Sequence, residues 1–202
     1  MRLLLFSDLH RNLEAVENLV QLSHDVDVVV GAGDFGTMRK GIDQVILALS
    51  AIERPAVVVA GNGESPEELA AACKVWPSAK VLHGCGTEIE GMHFWGVGGA
   101  IPVTPFGAWS YDLTEDEGRQ LLADCPQDAV VVSHSPPQGA VDQSSAGQHL
   151  GSVALREAID RLNPALVVCG HIHDCSGQSA TLVNTPVVNA GPHGMVWELP
   201  GS

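Results

Sequence analysis

The sequence predicts an α/β fold in which mixed β-sheet is flanked by helices. Three observations lead there. Five short apolar runs, at residues 3–6, 28–30, 57–60, 130–132 and 166–169, are too short for helices and read as buried strands. Stripes of 3.6-residue period separate most of them. Further strand-like segments crowd residues 87–97 and 181–199.

The elements follow in order. After the first strand, Leu13, Val16, Leu19, Val20 and Ser23 mark one helix face, and Asn12 stands where it can cap that helix. After the second, Ile42, Val45, Ile46 and Leu49 mark another. The third leads into Ser65-Pro66-Glu67-Glu68: an N-cap serine, a first-turn proline and acids that suit the positive end of a helix. Segments 87–89 and 92–97 flank Glu90-Gly91 as a hairpin. Thr114-Glu115-Asp116-Glu117 is a capping box. A helix over 153–162, ended near Asn163-Pro164, lies between the fourth and fifth apolar runs. Segments 181–183, 187–190 and 195–199 read as one late cluster of strands. No repeat or linker interrupts the chain, so one domain over 1–202 is expected.

Composition narrows the function. The apolar fraction of 45% and charged fraction of 17% suit a globular enzyme. Twenty-four acidic against ten basic residues give a net charge of −14, which argues against a duplex nucleic-acid partner and against an anionic membrane surface. An anionic substrate then needs local positive charge, which bound metal supplies. Five cysteines, at 73, 85, 125, 169 and 175, show no C-x-x-C spacing, so reduced thiols in a cytoplasmic protein are expected. The apolar run 3–6 is too short for a signal segment, and no stretch approaches the ~20 residues of a membrane helix.

Polar residues follow each apolar strand at once. The strands end in Ser7-Asp8-Leu9-His10, Gly33-Asp34, Gly61-Asn62-Gly63-Glu64, Ser133-His134-Ser135-Pro136-Pro137 and Gly170-His171-Ile172-His173. In open α/β sheets, ligands bind beyond the carboxyl ends of strands. Alone, each motif is an ordinary cap, turn or loop residue. His171 and His173, two apart on an extended segment, point the same way and carry more weight. Five strands delivering Asp, Asn or His to one edge carry the argument together.

That ordered series, Asp8-x-His10, Gly33-Asp34, Gly61-Asn62, His134, Gly170-His171-x-His173, resembles the calcineurin-like metallophosphoesterase superfamily. Asp8-Leu9-His10-Arg11-Asn12 and Ser133-His134-Ser135-Pro136-Pro137 look like small bacterial and archaeal members. The resemblance implies a four-layer α/β/β/α sandwich with two central mixed sheets. It implies two divalent ions, one on Asp8, His10, Asp34 and His173, the other on Asp34, Asn62, His134 and His171, with Asp34 bridging. A mixed Asp/His/Asn set suits manganese, iron or zinc, and manganese is favoured. The implied reaction is hydrolysis of a small phosphoester by metal-activated hydroxide, with Asp34, Asn62 and His134 at the chemistry. A phosphodiester such as a cyclic or mononucleotide is favoured, because a small acidic chain is poorly built for long polymers.

One position departs. The family motif Gly-Asn-His-Asp/Glu runs Gly61-Asn62-Gly63-Glu64 here, and the missing histidine is the residue usually taken to protonate the leaving oxygen. General acid catalysis contributes about 10²–10⁴ in rate, so alkyl esters should suffer most. Gly63 opens space for a nucleotide base, or another histidine, His149 or His193, moves in. Arg11 and Arg39 follow ligand-bearing loops and are placed to contact a phosphate oxygen. The alternative is a weakly active member serving as a nucleotide sensor or a protein-binding scaffold.

Overall fold

The computed structural model describes residues 1–199; the last three positions of the expected 1–202 domain lie outside the described residues. The strands are β1 (Arg2–Phe6), β2 (Val28–Gly31), β3 (Ala56–Val58), β4 (Ala79–Val81), β5 (Cys85–Ile89), β6 (Met92–Val97), β7 (Val130–Ser133), β8 (Leu166–Cys169), β9 (Ser179–Leu182), β10 (Thr185–Asn189) and β11 (Met195–Glu198). The helices are α1 (Leu13–Leu22), α2 (Ile42–Leu49), α3 (Pro66–Ala72), α4 (Glu115–Leu121) and α5 (Val153–Leu162).

Local chemistry starts the helices where the sequence places them. Asn12 Oδ1 accepts the Ala15 amide at 3.1 Å and caps α1. Ser65 and Thr114 form reciprocal capping boxes with Glu68 and Glu117, which satisfy amides at both helix starts. Asn163, in the left-handed conformation, ends α5.

Two sheets result. One has the order β11-β1-β2-β3-β4, with β1 to β4 parallel and β11 antiparallel at the edge. The other has the order β5-β6-β7-β8-β10-β9, parallel from β6 to β10 with an antiparallel strand at each edge. Strand alternation sends Leu3, Leu5, Val28, Val30 and Val57 inward against Phe94, Val130, Val132, Leu166 and Val168, which makes a dry layer between the sheets. The opposite face of the first sheet packs on α1, α2 and α3, and that of the second on α4 and α5. The architecture is the four-layer α/β/β/α sandwich.

The late strands are not one cluster. β9 and β10 form a hairpin on the second sheet, whereas β11 crosses to the first and pairs with β1. Met195 and Trp197 alternate toward the inter-sheet layer and draw β11 there. β4, only Ala-Lys-Val and half exposed, has too little apolar signal to read as a strand from sequence. The third strand closes at Val58, although Val59 and Ala60 remain buried beyond it.

Candidate functional site

The turns after β1, β2, β3, β7 and β8 meet at one edge of the sandwich and are tied to each other by backbone hydrogen bonds. The Asp8 amide donates to Gly33 O at 2.9 Å, the His10 amide to Asp34 O at 3.0 Å and the Gly170 amide to His134 O at 3.0 Å. Four residues here, Asp8, His10, Asp34 and His171, adopt the left-handed conformation at φ of 55°, 44°, 58° and 67°. Such backbone is costly for residues with a Cβ and concentrates where surrounding structure must aim a side chain.

Two glycines make the approach possible. A side chain at Gly61 or Gly170 would collide with the carboxylate of Asp34 or Asp8 respectively. Glu64 completes the clamp. Fully buried, its carboxylate accepts the amides of Asp34 (2.8 Å), Phe35 (3.2 Å), Gly36 (3.0 Å) and Gly61 (2.9 Å), joining the β2 and β3 turns. Burial, reinforced by the Asp34 charge, pushes the Glu64 carboxyl up to about 7, although those amides favour its charged form.

All seven residues expected from the sequence come together. His173 Nε2 lies 3.5 Å from Asp8 Oδ1 and 3.1 Å from His10 Nε2. Asp34 spans the site, with Oδ2 3.5 Å from His10 Nε2 and Oδ1 3.6 Å from His134 Nε2. His134 Nε2 lies 3.1 Å from Asn62 Oδ1, and the rings of His134 and His171 meet edge to face at 4.9 Å. Two groups could each hold a metal ion: Asp8 with His10 and His173, and Asp8 with Asp34 and His134. The His134 end is buried; His173 leaves 63% of its side chain exposed, so the site opens on that side.

Two of the four imidazoles are held by their far nitrogens. His10 Nδ1 donates to Gly36 O at 3.2 Å and His134 Nδ1 to Ala32 O at 2.8 Å, leaving each Nε2 aimed into the site. Asn62 is held too. Ser110 gives its hydroxyl proton to Asp112 Oδ1 at 2.5 Å, so its oxygen must accept from Asn62 Nδ2 at 2.9 Å. That fixes the amide, with Oδ1 facing His134. Two lone pairs then confront each other at 3.1 Å, and the arrangement calls for positive charge between them, from a second ring proton or a cation.

The titration directions fit this reading. Burial disfavours charge on His134, but Asp34, Asp8 and the Ala32 carbonyl outweigh it and raise its pKa. Burial, then the charge on His134, pushes His171 down to about 3, so that ring is neutral. Burial alone would raise the Asp8 carboxyl; the contact with His173, the charge on His134 and the Ser7 hydroxyl at 2.5 Å hold it at about 2.

The structure corrects one premise. His171 and His173 do not lie on an extended segment pointing one way: His171 is left-handed and His173 opens a 3-10 turn, so one ring reaches His134 and the other His10. Asn189, which donates to both Gly170 O and Ile172 O at 3.0 Å, holds the loop in that shape.

The substrate-contact candidates separate. Gly63 is not beside open space, because a Cβ there would lie 3.1 Å from Asp34 Oδ1, and its amide donates to that oxygen at 2.7 Å. Arg11 is exposed and packs over Gly41. Arg39 pairs with Glu68 at 3.1 Å. His149 donates from Nδ1 to Asp142 at 2.7 Å and lines a hollow with Gln143 and Gln178, next to the cleft beside His173 but not part of its lining. His193 is exposed, and its carbonyl accepts from Asn18. Sequence reasoning missed Ser110 and Asp112, 48 residues or more from Asn62, because no spacing rule connects them. Glu64 was legible only as the last residue of its motif.

Paired carboxylates, four histidines and an amide at the strand ends of a four-layer sandwich define the metallophosphoesterase class. The chain belongs to the calcineurin-like phosphoesterase superfamily, whose domain it matches over residues 1–200. It is 26% identical over 219 residues to UPF0046 protein K07C11.7 of Caenorhabditis elegans, covering 95% of this chain and 71% of that protein. Among solved structures it resembles TT1561 of Thermus thermophilus (23% identity, TM-score 0.73, 94% and 88% of the two chains). It also resembles a dimetal phosphatase from Danio rerio (12% identity, TM-score 0.66, 97% and 91%).

Proposed function

We propose that this chain is a dinuclear-metal-dependent phosphoesterase acting on small phosphodiesters, with nucleotides and cyclic nucleotides the favoured class. The observation that carries the reading is Asp34, whose Oδ2 faces His10 at 3.5 Å and whose Oδ1 faces His134 at 3.6 Å, with Asp8 common to the two metal-capable groups beside it. The donor chemistry fits divalent ions such as manganese, iron or zinc: two carboxylates, four imidazoles and an amide oxygen, with three of the donors anchored from behind. Asp8, His10, Asp34 and His173 would hold one ion; Asp34, Asn62, His134 and His171 would hold the other. Such a pair lowers the pKa of bound water and neutralises charge on the phosphoryl oxygens.

The chain's own residues prepare that chemistry. Asp8 is held by the Ser7 hydroxyl and the His171 amide, and Glu64 fixes the turn carrying Asp34. Only two carboxylates stand among the donors, so a dinuclear centre retains net positive charge that attracts an anion despite −14 overall. With no side chain at Gly63, none of the motif residues supplies a proton to a leaving alkoxide, which favours good leaving groups. The acidic balance supports a small phosphoester as partner rather than duplex nucleic acid or an anionic membrane. None of the described helices is long and apolar enough to cross a membrane. Five thiols, none paired, support a cytoplasmic setting.

The test is hydrolysis of bis(4-nitrophenyl) phosphate and 4-nitrophenyl phosphate by chelator-stripped protein titrated with manganese, beside Asp34→Asn. The expected result is manganese-dependent turnover, faster on the diester, reduced at least about a hundredfold in the variant, as loss of a central electrostatic group requires. Tight manganese binding without turnover would favour the nucleotide-sensing or scaffold reading, which the glycine at position 63 alone recommends.

A further inference from the structure

A cleft of about 410 Å³ adjoins the open end of the site, where His171 and His173 form part of its wall. Loop 102–106 lines it, together with Ser144, Gln148 and Leu150 from a second segment. The cleft is mostly apolar. Val103, Phe106 and Leu150 line it while 59%, 49% and 44% exposed, so three of the nine exposed large hydrophobic side chains among the described residues gather here. Isolated exposed hydrophobics need no explanation, but a group of them beside convergent polar residues marks a binding surface. Phe106, in the cleft wall, also stacks on Trp109, with ring centroids 5.6 Å apart and the rings 12° from parallel.

Charge narrows the occupant. No lysine or arginine is among the lining residues, and Asp174 is the one acid, its carboxylate accepting the Ser145 amide at 2.8 Å. Away from the His171 and His173 end, a second phosphate or a carboxylate would meet no lysine or arginine in the lining and an aspartate that repels it. The volume suits one or two rings, within the range of small-molecule pockets.

We propose that this cleft receives a neutral aromatic substituent of a monoanionic phosphodiester whose phosphoryl group lies at His171 and His173. The inference rests on the phosphoesterase reading and names the substrate class for it. Aryl groups and nucleobases share the required chemistry, a flat π-face on an uncharged ring. Aromatic contact is preferred to an alkyl chain because Phe106 and Trp109 already form a stack that a ring extends.

The test is calorimetric titration of manganese-loaded protein with diphenyl phosphate, diethyl phosphate, dioctyl phosphate and the methyl ester of adenosine 5′-phosphate. Phe106→Ala and Leu150→Ala run in parallel; both side chains are half exposed, so circular dichroism should stay unchanged. Diphenyl phosphate should bind more tightly than diethyl phosphate, and each variant should weaken it about three- to tenfold while leaving diethyl phosphate alone. Tighter binding of the adenosine ester than of diphenyl phosphate identifies the ring as a base; the reverse identifies an aryl group. Equal binding of diphenyl and diethyl phosphate, variants that weaken both alike, or preference for dioctyl phosphate would overturn the proposal. Binding of the expected pattern without manganese-dependent hydrolysis would remove the enzyme reading and leave the cleft assignment standing.

Discussion

Asp34 is the residue on which the site turns, and its surroundings show how tightly that turn is packed. Its Oδ1 takes the Gly63 amide at 2.7 Å, and a side chain at Gly61 would strike the same oxygen. Gly61 therefore has a steric reason to be glycine. Gly63 has a weaker one, since a Cβ there requires Asp34 to give only by a few tenths of an ångström. Gly63→His requires that small shift of Asp34, which unchanged circular dichroism and manganese binding would check, and it should restore a proton donor near the leaving oxygen. The expected outcome is a gain of about tenfold or more on an alkyl phosphodiester relative to an aryl one, well inside the range of general acid catalysis. Unchanged selectivity between the two esters would mean that the missing donor does not limit the rate. The ligand-type residues were legible in sequence because each follows a strand directly. Their left-handed backbones and the divergence of His171 from His173 were not, because those follow from contacts made across the sheet edge.

At the scale of elements, the segment between β6 and α4 carries more function than its sequence suggests. It contributes Ser110 and Asp112 to the amide of Asn62, and Phe106 to the apolar cleft. Asp112 is itself pinned by Thr104, whose amide and hydroxyl donate to Oδ2 at 2.9 and 2.8 Å. The segment is thus held by this polar network together with backbone bonds of Ala100 with Tyr111 and Leu113 and of Tyr111 with Asn62, rather than by a regular strand or helix. Periodicity reads regular elements, so capping boxes, stripes and buried valine runs were visible while this network was not. Ser110→Ala should free the Asn62 amide to rotate. Manganese affinity of one of two sites should fall about 10–100-fold by calorimetry, the usual effect of removing a partner behind a metal ligand. Ser110→Thr should restore it. Equal affinity in all three proteins would contradict a positioning role for Ser110.

At the scale of the whole molecule, the site exists because two sheets share one edge. Asp8, His10, Asp34 and Asn62 come from the first, His134, His171 and His173 from the second, and the inter-sheet layer of Leu3, Val30, Val57, Val132 and Val168 sets their separation. The sequence made the strands and their polar ends readable one by one. That they divide between two sheets came from family resemblance, because alternation tells which side chains face inward but not which strands are neighbours. β11 illustrates the limit: it follows β9 and β10 in the chain, yet it pairs with β1 in the other sheet. The most direct test of the account is an anomalous-difference map from a crystal of the protein grown with manganese. Two peaks about 3.5–4 Å apart, one on each side of the Asp34 carboxylate, are predicted. A single peak, or none between Asp8 and Asn62, would contradict the dinuclear centre on which the proposed function rests.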